Sequence, residues 1–327
     1  MKTFAPTASL PLLKARATIL EATRAFFKER EVLEVDTPIL GLAPVTDPYL
    51  SALKTRIAHF KDQDFYLQTS PEYYLKRLIA TYPISVYQLG KVFRDDEYGA
   101  HHSPEFTLLE WYRVGFDDKA LMDEMTDLLN VLCTAVIPAS AKIQAERLSY
   151  RQIFEEYVGC NPHQVTESQL QTLVQLHIGD IVGLPHPNRD TSLQLLMSQV
   201  IEPALAKHNA PVFIYHFPKS QAALARLKID EQGEEVAGRF ELYWKGLELA
   251  NGYDELMDPI LQAQRFKADL AQRAAEHLPT VPIDQKLLSA LEIGLPACAG
   301  VALGFDRLLM ILTEASHIKE VQTFYAF

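Results

Sequence analysis

The chain is poor in cysteine: Cys133, Cys160 and Cys298 are the only three in 327 residues, and none has a C-x-x-C neighbour. An odd, scattered set excludes a disulfide framework and a thiolate zinc site, and predicts free thiols in or near a core. Long apolar runs are missing too. No stretch approaches the roughly 20 residues of a membrane span, and the opening MKTFAPTASLPLLKARATILEATRAFF lacks a signal-peptide core. A cytoplasmic location is the expectation. Positive charge is short, with 31 Lys and Arg against 42 Asp and Glu for a net −11, all of the excess falling after residue 100. Wrapping tRNA wants a basic face, so this balance counts against nucleic acid as the partner. There is no G-x-x-x-x-G-K-[ST] segment, and any nucleotide must be held without a P-loop.

What is present is ordinary globular composition, 48% hydrophobic and 22% charged, without repeats or low-complexity segments. Residues 11–30 space Leu13, Ala17, Ile19, Leu20, Ala25, Phe26 and Phe27 as an amphipathic helix with Pro11 at its start. EVLEVDTPIL alternates as a strand in which Pro38 must sit at an edge or end. FYLQTSPEYYLKRLIA reads as strand, turn and helix, and SVYQLGKVFRDDE as a strand. From 117 to about 210 the pattern is mainly helical, broken by loops such as GLPHPNRD at 183–190. Strands return in PVFIYHF and GRFELYWKGLELANG. A helix near 258–276 and a strand-turn-helix in AGVALGFDRLLMIL close the chain. Hairpins and long excursions predict an α+β fold, an antiparallel sheet flanked by helices, in one domain with a helical insertion at 117–210.

In FTLLEWYR, alternation puts Phe106, Leu108, Glu110 and Tyr112 on one face. A carboxylate held among apolar neighbours is costly unless a cation meets it; the plain alternative is a Glu at a solvated edge. In FELYWKGLELANG, a two-residue turn at Lys245-Gly246 sets Glu241 diagonal to Glu248, and a four-residue turn sets them opposite. Either register gathers two acids that a hard cation such as Mg²⁺ suits, while two solvated acids are the bland reading. Arg94 and Arg307 offer guanidinium planes for phosphate or ring.

Together these stretches resemble the class II aminoacyl-tRNA synthetases, in particular the lysyl branch. The region through Thr37-Pro38 looks like motif 1, FRDDE…HHSPEFTLLEWY like motif 2 and GVALGFDRLLM like motif 3. TSPEYYLKRL and ELANGYDEL are similar to lysine-specific segments. With the motif 1 strand already at residue 31, no anticodon-binding OB domain is expected. The closer resemblance is to the truncated lysyl-like ligases that modify elongation factor P.

That resemblance implies ATP and Mg²⁺, (R)-β-lysine as the acid that is activated, elongation factor P as acceptor, and a homodimer built through motif 1. It assigns Arg94 to the α-phosphate and Phe106 with Arg307 to the adenine, with Asp95, Asp96, His102, Ser103, Glu248, Leu249 and Gly304 also on the nucleotide. Glu241 and Glu248 become metal ligands. Glu72 takes the substrate amine, with Ser70 and Pro71 beside it in the substrate site, Asn251 takes its carboxylate, and Glu110, Tyr112 and Glu255 the side-chain ammonium. Departures stand at Ser103 for Asn, His101 for Tyr or Arg, Asp96 for Glu, and Ala302 for the Gly of tRNA-charging relatives. A methyl in the amino acid pocket is the scale of change, about 1–3 kcal/mol, that shifts preference between close substrates. A minimal lysyl-tRNA synthetase, a free amino-acid ligase and a catalytically silent paralogue are the competing readings.

Overall fold

A computed structural model describes residues 4–138, 141–181 and 187–327. The chain forms two compact units, the described residues of 1–141 with 256–327, and those of 142–255. The 117–210 stretch is therefore divided between the two.

The first unit opens with α1 (Leu10–Glu29), where Pro11 lies in the first turn and Ile19, Thr23, Phe26 and Phe27 make the buried stripe. Ala17 and Ala25, expected inward, are exposed, while Arg16 is half-buried. The segment predicted as a strand over 31–40 makes only short ladders, β1 (Leu33–Glu34) and β2 (Leu40–Gly41). Pro38 between them has no N–H to donate, which confines pairing to the ends. There follow β3 (Lys54–Arg56), β4 (Asp64–Leu67), α2 (Glu72–Thr81), β5 (Val86–Phe93), β6 (Glu105–Val114) and α3 (Asp118–Val136). Pro71 caps α2 rather than occupying its first turn.

The second unit contains β7 (Glu146–Ser149), α4 (Tyr150–Tyr157), α5 (Glu167–His177), α6 (Arg189–Leu196), a π-helical turn over Met197–Ile201, and α7 (Glu202–Leu205). Residues 183–186 of the expected GLPHPNRD loop lie outside the described residues. Its strands β8 (Val212–Pro218), β9 (Leu227–Ile229), β10 (Glu235–Trp244) and β11 (Leu247–Asp254) complete it. Back in the first unit come α8 (Pro259–Ala275), α9 (Gln285–Ile293), β12 (Cys298–Gly304) and α10 (Phe305–Thr313).

In the first unit β1, parallel to β5, is followed by the antiparallel neighbours β5, β6 and β12; β2, β4 and β3 form a small antiparallel sheet. In the second, β11, β10 and β8 are antiparallel, β7 adds in parallel, and β9 pairs β10. Antiparallel pairing dominates, in keeping with the α+β expectation. Helices α4 to α7 supply Tyr150, Phe154, Leu193, Leu196 and Ile201 to a core that Phe217 and Tyr243 close from the strands. Cys133 and Cys298 are buried and Cys160 half-buried, all as free thiols. No described helix is long and apolar enough to cross a membrane.

Candidate active site

Strand β6 carries the carboxylate row of the first unit. Register pairs Gln88 and Ala302 with Glu110, Val86 and Gly300 with Tyr112, and Val92 with Phe106. Glu110 is 2% exposed, and the Tyr112 hydroxyl donates to its Oε1 over 2.9 Å. Alternation along β6 therefore delivers a carboxylate and a phenol two residues apart on one buried surface. The solvated-edge reading of Glu110 fails. Ala302, half-buried on the adjacent strand, is its direct cross-strand neighbour.

At the N-terminal end of β6 the loop 94–104 folds back on itself through the Gly99–His102 bridge. The Arg94 guanidinium lies 5.1 Å from the Phe106 ring centre and pairs with Glu97 at 2.7 Å. Asp95 and Asp96 are exposed. Of the three acids after Arg94, Glu97 is thus the one the arginine uses. Arg307, in the first turn of α10 after Gly304, donates from Nε to the His101 carbonyl at 3.2 Å, fastening the loop to the helix. Burial, with Arg307 second, lowers the pKa of both His101 and His102, which favours neutral rings at pH 7. Ser103 is buried, and its Oγ has no partner among the described residues.

Glu72 begins α2, its amide 3.4 Å from the Ser70 hydroxyl, with Pro71 buried between them. One turn on, Lys76 is 2% exposed and its ammonium is 2.6 Å from Glu72 Oε1. A half-buried carboxylate here is already balanced by a buried cation.

In the second unit, Lys245 and Gly246 both have positive φ, 51° and 78°, so the hairpin has the two-residue turn. Glu248 then faces Tyr243, diagonal to Glu241. A bulge between Leu242 and Tyr243 on the register brings Asn251, not Ala250, opposite Glu241. Leu249 is the extra residue and its side chain is buried, so only its backbone is offered to a ligand. Gly252 lies under Phe240, whose ring would come within 2.4 Å of an added Cβ. Asn251 Oδ1 is buried with no partner among the described residues, and Glu255 is buried at the end of the strand.

Glu241 has a side-chain cation of its own, on the side away from Glu248. Arg239 Nη2 reaches Glu241 Oε1 at 2.5 Å, Nη1 bonds the Gln221 carbonyl at 2.7 Å, and the guanidinium sits 4.5 Å over Phe217. The Tyr243 hydroxyl donates to Glu241 Oε2 at 2.6 Å. Burial works against the Arg239 charge, but Tyr253, Glu241 and Glu248 outweigh it and hold the proton more firmly than usual. Burial, then Glu241 and Glu248, keeps Tyr243 protonated well above the ordinary phenol range.

A family described as tRNA synthetases class II (D, K and N) matches residues 5–326. The chain belongs to that family. It is similar to proteins named elongation factor P–(R)-β-lysine ligase: 47% identical over 324 residues to that of Pseudoalteromonas translucida, covering 98% of this chain and 97% of the relative. Identity is 48% over 323 residues for Vibrio cholerae, covering 98% and 96%, and 45% over 326 residues for Salmonella paratyphi B, covering 98% and 97%.

Within this class II synthetase, four side chains escape the sequence reading: Lys76, Gln88, Glu97 and Arg239. Gln88 and Arg239 carry a signal, since alternation sets Gln88 in an apolar strand and Arg239 two residues before Glu241 on its face. Lys76 is one helical turn from Glu72, a spacing that ordinarily reads as a surface pair. Glu97 has no such sign, because loop geometry decides which acid turns to Arg94.

Proposed function

We propose that the chain is an ATP-dependent, AMP-forming ligase that activates (R)-β-lysine as an adenylate and passes the acyl group to the ε-amine of a lysine on elongation factor P. The observation that carries this reading is the buried Glu110–Tyr112 pair at 2.9 Å, a carboxylate that an ammonium group would suit. The names borne by the near-full-length relatives choose the acceptor.

In the first step the substrate carboxylate attacks the α-phosphorus in line and pyrophosphate leaves. Arg94 holds the α-phosphate and offsets its accumulating charge, with Phe106 and Arg307 gripping the adenine. Glu72 and Asn251 receive the amine and carboxylate, and Glu110, Tyr112 and Glu255 the distal ammonium. No covalent enzyme intermediate is needed, so catalysis is positioning plus electrostatics. In the second step the acceptor amine attacks as the neutral base and AMP leaves. Mg²⁺ fits the hairpin by donor type: Glu241 and Glu248 present hard oxygen atoms, and each Glu241 oxygen keeps a lone pair beyond its bond to Arg239 or Tyr243. Bound there with the triphosphate, the ion supplies charge neutralisation.

Pyrophosphate exchange dependent on β-lysine tests the activation step. Incubation with elongation factor P and, separately, tRNA then tests the acceptor. The expected result is a mass increase of one β-lysyl group on the factor and no charged tRNA; silence with every lysine isomer sinks the reading. We propose a homodimer in the cytoplasm, and a monomer by light scattering at micromolar concentration counts against the dimer.

A further inference from the structure

Arg16, on the inward side of α1, reaches β6 and α10 at once. Its Nη1 is 2.6 Å from Asp306 Oδ1 and its Nη2 is 2.6 Å from Thr107 Oγ1. Asp306 Oδ2 accepts from the Thr107 amide at 2.9 Å and from the Gln322 side chain at 3.2 Å. Nη1 also touches the Val321 carbonyl at 3.3 Å, and Gln322 donates to the Glu105 carbonyl at 3.0 Å. The Asp306 side chain is 2% exposed and that of Arg16 15%. A buried carboxylate with donors on both oxygens, met by a forked guanidinium, is a fixed joint rather than a surface ion pair.

Its position gives the joint a use. Thr107 follows Phe106 in β6, and Asp306 precedes Arg307 in α10. The two residues gripped by Arg16 are each the chain neighbour of one member of the adenine-holding pair. Thr107 faces the side of β6 opposite Phe106, so the joint lies behind the ring and outside the space a nucleotide would occupy. Locking the Thr107 amide and the first turn of α10 to one carboxylate sets the separation of the ring from the guanidinium.

We propose that Arg16 is a positioning residue for nucleotide binding: through Asp306 and Thr107 it fixes the spacing between Phe106 and Arg307 that grips adenine. This rests on the reading of Phe106 and Arg307 as the adenine-holding pair. Loss of the joint loosens the grip on ATP without removing any group that touches it. A shift of about 1 Å in such a pair is enough to cost up to roughly a hundredfold.

The test is the Arg16→Met and Arg16→Lys variants in the full chain, with Thr107→Val to remove one prong and Ile19→Val as a packing control on the same helix. Pyrophosphate exchange at varied ATP yields KM and kcat separately, calorimetric titration with Mg-ATP yields affinity, and thermal melts report folding. Arg16→Met is expected to raise both KM for ATP and the dissociation constant by roughly tenfold or more. Arg16→Lys, which reaches Asp306 but cannot fork, should recover part of the loss, and Ile19→Val should keep wild-type KM. A merely structural residue would lower the active fraction, and so kcat, at unchanged KM. If Arg16→Met fails to fold, Thr107→Val decides, with KM raised about threefold at an unchanged melting temperature expected. Wild-type KM and affinity in the folded Arg16 variants and in Thr107→Val overturn the proposal. A wild-type chain that binds no Mg-ATP overturns the adenine reading itself.

Discussion

The two units repeat one small device with one difference. In β6 the sequence L-L-E-W-Y places Tyr112 two residues after Glu110, with a hydroxyl-to-carboxylate bond of 2.9 Å; in β10 the sequence R-F-E-L-Y places Tyr243 two residues after Glu241, with the same bond at 2.6 Å. Two residues before the Glu, on the same face, stand Leu108 and Arg239 respectively. The hairpin carboxylate thus arrives with a built-in cation, while an apolar side chain occupies the matching place beside Glu110. In β6 the tyrosine orients the carboxylate; in β10 a tyrosine and an arginine orient it, and the arginine balances its charge. The first arrangement suits an acid that must attract an ammonium ion, and the second suits one whose shape must be kept when the ligand is absent.

The widest gap between the two should open on removing the arginine. Arg239→Gln leaves Glu241 buried without its cation and should cost about 3–5 kcal/mol in urea unfolding, whereas Leu108→Met, a volume-conserving change beside Glu110, should cost less than about 1.5 kcal/mol. Equal costs from both would erase the contrast. Glu110→Gln is next: neutralising it should cut kcat/KM for β-lysine by about a hundredfold, the scale of roughly 3 kcal/mol for a buried charge pair, at nearly constant KM for ATP. A loss confined to ATP would move Glu110 out of the amino acid pocket.

Smaller effects separate the tyrosines. Tyr112→Phe and Tyr243→Phe each remove one hydrogen bond, worth about 1 kcal/mol. The first should appear as roughly fivefold weaker use of β-lysine and the second as lost stability, measured by exchange kinetics and melting. The smallest difference concerns pH. Burial lowers the pKa of His102 in the first unit, and of His163 in the second against the pull of Glu234 and Asp230, each from 6.5. A histidine with a depressed folded pKa contributes its full stability above about pH 6.5 and loses it as the pH falls toward the folded value. His102→Asn and His163→Asn should each flatten the melting-temperature profile between pH 6.5 and 5. Adding ATP should alter the profile less once His102 is replaced.

Much of this molecule is readable from its letters, for reasons that particular residues make clear. Helix α1, the place of the β10–β11 turn and the face shared by Phe106, Glu110 and Tyr112 follow from periodicity and from Lys245-Gly246, all local rules, while the turn's length stays open until the register is seen. The short ladders around Pro38 and the half-buried Arg16 do not, because pairing partners decide them. Alternation puts Arg239 on the face of Glu241, but no spacing rule says that its guanidinium turns to that carboxylate. The bulge at Leu249 carries no Gly or Pro to announce it. Nor does any linker composition mark the division near residues 142 and 255.

That bulge has a consequence for chain length. In an unbroken strand Glu248 and Asn251, an odd number of steps apart, would look to opposite sides; the spare residue resets the phase so that both accompany Glu241. Dropping Leu249 would keep that phase, while inserting one more residue beside it would swing Asn251 and Tyr253 to the far side, a reversal that no single substitution in the hairpin can produce.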